Sequence, residues 1–121
     1  MADADKVNLT ENLPLFDEYW SPKIVAELNG QHVKLVKLLG GFPWHHHDEE
    51  DELFFVIEDR LGMEFRDRDV WLEEGEMIVV PRGVEHRPVA EDEVHALLFE
   101  PASTPNTGNV RNELTTEAGK F

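Results

Sequence analysis

Three consecutive histidines, His45, His46 and His47, stand just before a run of acidic residues that ends at Glu52. The chain has no cysteine, so any metal that it binds must be held by imidazole nitrogens and carboxylate oxygens. A histidine cluster beside acids is also typical of a solvated turn. The cluster therefore indicates either a surface loop or part of a metal site.

The alternation of side chains along a strand divides this cluster. Successive strand residues point to opposite faces, so His45 and His47 share one face while His46 points to the other. Glu52 begins the next predicted strand and lies on the same face as Phe54. If that face is the interior, one carboxylate and two imidazoles converge from neighbouring strands.

A third imidazole comes from a distant part of the chain. His86 follows Pro81-Arg82-Gly83, a Pro and Gly pair that suits a tight turn between strands. Taken alone, His86 is also compatible with a histidine that is hydrogen-bonded at a strand end. His32 and His95 have no partner in the sequence, and we expect structural or surface roles for them.

The elements that must position these residues are short apolar runs that predict strands. Asn29-Gly30 favours a type I′ turn, which predicts a hairpin over residues 23–39. Six further runs follow between Gly, Pro and charged turns: ELFFVIED, GMEFRD, DVWLEE, EMIVVP, EHRPVA and VHALLFEP. No window shows helical periodicity over the length of an average helix. The acidic runs at 48–52, 73–76 and 91–93 are predicted to be turns, where charge stays solvated.

The pattern predicts an all-β fold in one domain, because 121 residues are enough for one core. Short strands must protect their edges in a sandwich or in a closed barrel, and we prefer the barrel for a chain of this size. We expect residues 1–14 to be a flexible N-terminal segment and residues 15–102 to form the barrel domain. Residues 103–121 have little to bury and are expected to be a disordered tail or a flap over one barrel mouth.

The chain is strongly acidic, with 26 Asp and Glu residues against 11 Lys and Arg residues and a net charge of −15. This charge repels nucleic-acid phosphates and anionic membranes, so neither is an expected partner. The first residues lack the basic and apolar regions of a signal peptide, and no stretch approaches the roughly 20 apolar residues that span a bilayer. We expect a cytoplasmic protein whose partner is a small molecule.

The joint pattern resembles the two motifs of the cupin family. The first motif contains His-x-His and a later Glu, and the stretch GGFPWHHHDEEDE supplies His45, His47 and, after four residues, Glu52. The second motif has Gly, five residues, Pro-x-Gly, two residues and His. It is matched by Gly75, Pro81, Gly83 and His86.

The chain departs from the family pattern at three positions that are not metal ligands. The opening glycine is displaced to Gly40, the closing glycine of the first motif is Asp59, and the Asn that often ends the second motif is Ala90. Asp tolerates a left-handed φ, so Asp59 can still occupy a turn. Gly62 is interpreted as the site of a bulge in the following strand.

The resemblance implies a double-stranded β-helix, a small jelly-roll barrel. It also implies that His45, His47, Glu52 and His86 bind one divalent transition metal, either Fe, Mn, Ni, Zn or Cu, with positions left open for other ligands. Neighbouring groups, expected to include acids, should orient the imidazoles. A set of apolar residues is interpreted either as cavity walls or as simple core: Trp44, Phe54, Val56 and Phe65.

Three functions are compatible with this resemblance. The first is a metal-dependent enzyme, a dioxygenase or a sugar-isomerase-like protein, that acts on a small oxygen-bearing metabolite. The second is a non-catalytic ligand-binding or sensor protein with a metal-stabilised barrel, and the third is a barrel that has lost its metal. The resemblance further implies a homodimer, for which the apolar hairpin at residues 23–39 is available.

Overall fold

The protein is described by a computed structural model that covers residues 4–111 and 119–120. It confirms the all-β prediction. A short helix, α1 (Leu9–Asn12), and a 3-10 turn (Leu13–Leu15) precede eight strands. The strands are β1 (Lys23–Leu28), β2 (Gln31–Gly41), β3 (Glu52–Glu58), β4 (Leu61–Phe65), β5 (Asp69–Leu72), β6 (Met77–Val80), β7 (His86–Pro101) and β8 (Gly119–Lys120).

The strand order is that of a jelly roll centred on β7. The order is β5-β4-β7-β2-β1-β8, and β3 pairs with both β6 and β7. The first part of β7 pairs with β4, from Phe65↔His86 to Gly62↔Val89. Its second part pairs with β3, and almost its whole length pairs with β2. Because β7 pairs with β2, β3 and β4, it connects the end of the barrel that carries His86 to these three strands.

One sequence prediction of the strands is wrong. EHRPVA and VHALLFEP form a single strand, and the acidic residues 91–93 do not make a turn. They form an exposed bulge, because Leu38 pairs with Val94 while Gly40 pairs with Ala90. Three acidic residues on β7 thus lie opposite a single residue of β2, which keeps their charges in solvent without interrupting the strand.

The turn predictions at Asn29-Gly30 and Asp59 are confirmed, whereas the predicted bulge at Gly62 is wrong. Asn29 and Gly30 have φ values of 49° and 76°, and the β1–β2 hairpin closes around them. Asp59 has a φ of 69°, as expected for its turn. Gly62 does not make a bulge; a Cβ at this position would lie 3.0 Å from the ring of Trp71, so glycine allows the close packing seen there.

The core fills the barrel interior. Leu61, Met63, Val56 and Val94 are each 0% exposed, and the alternating burial of β3 places Phe54 and Val56 inward as predicted. Within the predicted N-terminal segment 1–14 the structure has α1, and the division at residues 14 and 102 stays a prediction. Residues 112–118 and 121 of the predicted tail or flap lie outside the described residues. Among the residues described, no helix is long and apolar enough to cross a membrane.

Candidate metal centre

Backbone pairing joins the two distant histidine segments. His45 and His86 exchange backbone hydrogen bonds, with N–O distances of 3.1 and 2.9 Å, and the amide of Gly83 donates to the carbonyl of His47 at 2.7 Å. Glu52 is the first residue of β3. The loop after β2 and the turn before β7 are therefore held side by side at one end of the barrel.

These contacts bring together the four residues that the sequence singled out. His45, His47, Glu52 and His86 are buried, with exposures of 2, 3, 3 and 0%. Each offers one ligand atom, and these atoms lie within 4.8 Å of one another. The four residues could therefore hold a metal ion.

His46 lies outside this group. Its Nε2 atom is 2.9 Å from Oδ1 of the exposed Asp48, and its side chain is partly exposed to solvent. The predicted alternation of the three histidines is therefore correct, although the segment is an extended loop with a single bridge at His45 and not a strand.

Backbone carbonyls orient two of the imidazoles, where the sequence had suggested acids. The Nδ1 atom of His45 lies 2.9 Å from the carbonyl of Pro43, and that of His86 lies 2.9 Å from the carbonyl of Val84. When Nδ1 donates its proton to a carbonyl, Nε2 keeps its lone pair. Both rings are thus fixed in the tautomer that a metal requires.

The remaining atoms face one another without conventional partners. Oε1 of Glu52 lies 3.3 Å from Nε2 of His47 and 3.5 Å from Nε2 of His86. None of these three buried atoms has a hydrogen-bond partner among the residues that the structure describes. Buried polar groups are rarely left unpaired, so this arrangement fits a cation bound between the imidazoles and the carboxylate.

The electrostatics of the site favour the protonation states that bind metals. Burial, with a smaller contribution from the charge of His86, lowers the pKa of His45 to about 4. Burial acts to raise the pKa of Glu52, but its interactions with Glu100, His47 and His86 outweigh this effect and hold that pKa well below its usual value. Above pH 6, His45 is therefore neutral and Glu52 is ionised.

Glu100 and Lys34 were missed by the sequence interpretation. Nζ of Lys34 lies 2.8 Å from Oε1 of Glu100, and both side chains are buried. Burial and the adjacent Glu52 raise the pKa of Glu100 well above its usual value, against the opposing effect of Lys34. Strand alternation could have found both residues, because Glu100 has the parity of the inward-facing Leu98 and Lys34 that of Val36.

A small cavity adjoins the site inside the barrel. Its volume is about 30 Å³. Its walls are mainly apolar, and the lining residues are Trp20, Pro22, Val36, Leu38, Phe42, His45, Glu52, Phe54, Pro88, Leu98 and Asn106.

Only one of the four suggested wall residues lines this cavity. Phe54 does so. Val56 and Phe65 are buried in the core but do not line the cavity, and Trp44 stacks against Arg66, whose Cζ atom is 3.9 Å from the ring centre. Trp44 has the parity of His46, so it points away from the interior.

Comparison with known proteins agrees with this architecture. Residues 33–100 match the Cupin domain family. A protein from Bacillus subtilis (strain 168), named uncharacterized protein YdbB, is 36% identical over 64 residues, which are 52% of this chain and 57% of that protein. The chain thus spans only about half the length of this curated relative.

Two solved structures are similar over most of their length. A cupin-2 domain containing protein from Shewanella frigidimarina NCIMB 400 is 44% identical, with a TM-score of 0.77, over 78% of this chain and 93% of that chain. Protein NMB1881 from Neisseria meningitidis is 38% identical, with a TM-score of 0.74, over 80% of this chain and 99% of that chain. The matching segment, the jelly-roll topology and these relatives together show that the chain belongs to the cupin family.

Proposed function

We propose that His45, His47, Glu52 and His86 bind one divalent transition metal, either Fe, Mn, Ni, Zn or Cu. The observation that carries this proposal is the set of buried imidazole and carboxylate atoms that face one another without partners among the described residues. A histidine and carboxylate donor set suits these metals, whereas a closed structural zinc site is usually rich in thiolate. Four protein ligands on an octahedral ion leave two positions for other molecules.

We infer that the protein is a metal-dependent enzyme acting on a small oxygen-bearing metabolite, by dioxygenase or sugar-isomerase-like chemistry. A bound ion would supply Lewis-acid polarisation of a substrate oxygen, or redox chemistry if it is iron, manganese or copper. The cavity beside His45 and Glu52 would receive the substrate, and its aromatic walls, among them Phe42 and Phe54, would exclude water.

The alternative is a non-catalytic cupin that binds or senses a small ligand. The size of the cavity bears on both functions, because about 30 Å³ has room for only a water molecule or two. A metabolite would require movement of the cavity wall, and a protein that changes shape on binding is suited to sensing as well as to catalysis.

The metal content of the purified protein tests the proposed metal site. Tag-free protein should contain close to one equivalent of a transition metal, and His86→Ala should lose most of it. His32→Ala, a partly buried histidine outside the group, is the matched control and should keep it. Less than about a tenth of an equivalent in the wild type, unchanged by His86→Ala, would exclude the metal site.

Activity assays then separate the two functions. Metal-replete protein that consumes oxygen or converts a member of a broad metabolite panel is an enzyme. Ligand-dependent thermal shifts without any turnover identify a binding protein. The cytoplasmic location stays a prediction from the sequence.

We also propose a homodimer, in which the outer face of the barrel meets a second copy. Val79, Leu53, Phe99 and Val33 lie side by side across four strands on this face, and Met77, Phe55 and Leu97 form a parallel row. Met77 and Val79 are 58 and 53% exposed. Contiguous apolar surface of this kind is typical of protein interfaces. It provides a candidate interface besides the predicted hairpin, whose first strand, β1, pairs with β8 of the same chain.

A further inference from the structure

A second pocket adjoins the proposed metal site from outside the barrel. Its volume is about 240 Å³. The acidic loop, residues 48–50, lines one side, and Pro105, Gly108 and Asn109 line the other, with His47 between them. We call this space the outer pocket, to distinguish it from the inner cavity that Phe54 and Asn106 line.

His47 connects the outer pocket to the site. Its side chain is 2% exposed, and neither of its ring nitrogens has a hydrogen-bond partner among the described residues. The same residue contributes a ligand atom to the group of four. The outer pocket therefore ends at a buried imidazole that is ready to accept a cation, and three carboxyl groups at its rim make its electrostatic potential negative.

The second wall of the outer pocket is a segment held against the histidine loop. This flap comprises residues 103–109. The amide of Asn109 donates to the carbonyl of His46 at 3.0 Å, and the amide of His46 donates to Oδ1 of Asn109 at 2.8 Å. The Ser103 hydroxyl donates to Glu50 at 3.0 Å. The flap is thus hydrogen-bonded to the acidic loop and to His46, which lies between the candidate ligands His45 and His47.

Gly108 makes this attachment especially close. Its φ is 56°, and a Cβ at this position would collide with the carbonyl oxygen of His46 and approach the ring of His45. No other residue type can sit there without moving the flap or the histidine loop. The flap therefore separates the outer pocket from the inner cavity, and Asn106 faces the inner side.

We propose that the outer pocket is the entrance through which a hydrated divalent cation reaches the metal site, with the acidic loop attracting the ion and the flap limiting its passage. This inference rests on the proposed metal site. The acidic loop acts mainly on the rate of association, because long-range attraction speeds encounter. The flap acts on association and dissociation alike, because the ion must pass it in both directions.

The attraction is tested with Zn²⁺ as the probe. Asp48→Asn/Glu49→Gln should lower the association rate constant at low salt by about threefold to tenfold, with the difference shrinking at about 0.5 M salt. The matched control, Glu91→Gln/Asp92→Asn, removes the same charge from the exposed bulge of β7 and should change the rate by less than about twofold. Equal effects of the two variants would show a response to net charge alone and overturn the role of the loop.

The flap is tested by transfer of Zn²⁺ to an excess of a chromophoric chelator. Gly108→Ala should speed the transfer by about tenfold or more, and Asn109→Ala, which removes one hydrogen bond, by about fivefold. Gly75→Ala is the matched control, since Gly75 also has a positive φ but nothing lies within 4 Å of its added Cβ. If Gly108→Ala speeds the transfer of Zn²⁺ by no more than Gly75→Ala does, the flap does not limit the passage of the ion.

Two further measurements distinguish a failure of the proposed entrance from a failure of the proposed metal site. Hydrogen exchange at the His46 amide in the metal-free protein should speed up in Asn109→Ala, which reports release of the flap without any metal. If the wild type binds no Zn²⁺, the proposed metal site fails. If it binds Zn²⁺ with an affinity that depends on His86, yet both flap variants transfer the ion at the wild-type rate, the entrance is wrong and the metal site stands.

Discussion

Lys34 and Glu100 form an ion pair inside the barrel, with Nζ and Oε1 2.8 Å apart and side-chain exposures of 4 and 1%. Glu100 in turn adjoins Glu52, and the two carboxyl groups interact. Two carboxyl groups in contact cannot both be ionised at low cost in a buried site. The opposite pKa shifts of Glu52 and Glu100 indicate that Glu100 takes up a proton first as the pH falls, while Glu52 stays ionised.

Removing one member of the buried Lys34–Glu100 pair should lower the free energy of unfolding. Lys34→Met leaves Glu100 without its cation, and we expect a loss of about 2–4 kcal/mol in the free energy of unfolding, at the lower end if Glu100 takes up a proton. Lys34→Met/Glu100→Gln should recover part of this loss, because no buried charge is then left unpaired. Urea unfolding of the two variants measures the difference. A loss below about 0.5 kcal/mol in Lys34→Met would show that the pair does not stabilise the fold.

The strand pattern was sufficient to predict an all-β barrel, and the resemblance to the cupin motifs implied the jelly roll and the four clustered residues. Strand parity separates His46 from its neighbours, and motif spacing links His86 to His45 across about forty residues. Both are local or periodic properties, which a sequence carries directly. Trp44 was assigned incorrectly because its parity was not applied, although it matches that of His46.

The cavity walls could not be obtained in the same way. Trp20 belongs to the segment before β1, and it reaches the barrel through long-range hydrogen bonds, from its amide to Lys37 and from its indole to Leu39. These are tertiary contacts, and the periodicity of apolar residues along the sequence does not predict them. Asn106 reaches the inner cavity from the far end of the chain for the same reason.

Alanine substitutions within the histidine triplet should separate the buried residues from the exposed one. His45→Ala and His47→Ala each remove a buried imidazole and should lower metal occupancy by about tenfold or more at limiting metal. His46→Ala removes a side chain that faces Asp48 and should leave occupancy within about twofold of the wild type. Elemental analysis after equilibrium dialysis measures all three. Equal losses from the three variants would contradict the alternation of these side chains.

Metal should stabilise the wild type but not a variant without the carboxylate. At a free metal concentration of about 100 Kd, linkage raises the free energy of unfolding by about 2.7 kcal/mol. Glu52→Gln should lose most of this gain, because it removes the charged ligand. The control is Glu58→Gln at the exposed, opposite end of β3, which should keep the gain. Chemical unfolding with and without metal provides the comparison, and an equal gain in Glu52→Gln would place the ion elsewhere.

The apolar outer face should control association between copies of the chain. A dimer would have twice the chain mass of 13.9 kDa, and Val79→Lys would place a charge within its interface. We expect this variant to shift the protein to monomer at micromolar concentration, because an unpaired buried charge costs several kcal/mol. Trp71→Lys, at a similarly exposed position on another strand, is the control and should remain dimeric. Sedimentation equilibrium distinguishes these outcomes. A monomeric wild type would refute the dimer. A dimeric Val79→Lys would place the interface elsewhere, and the hairpin at residues 23–39 would be the next surface to test.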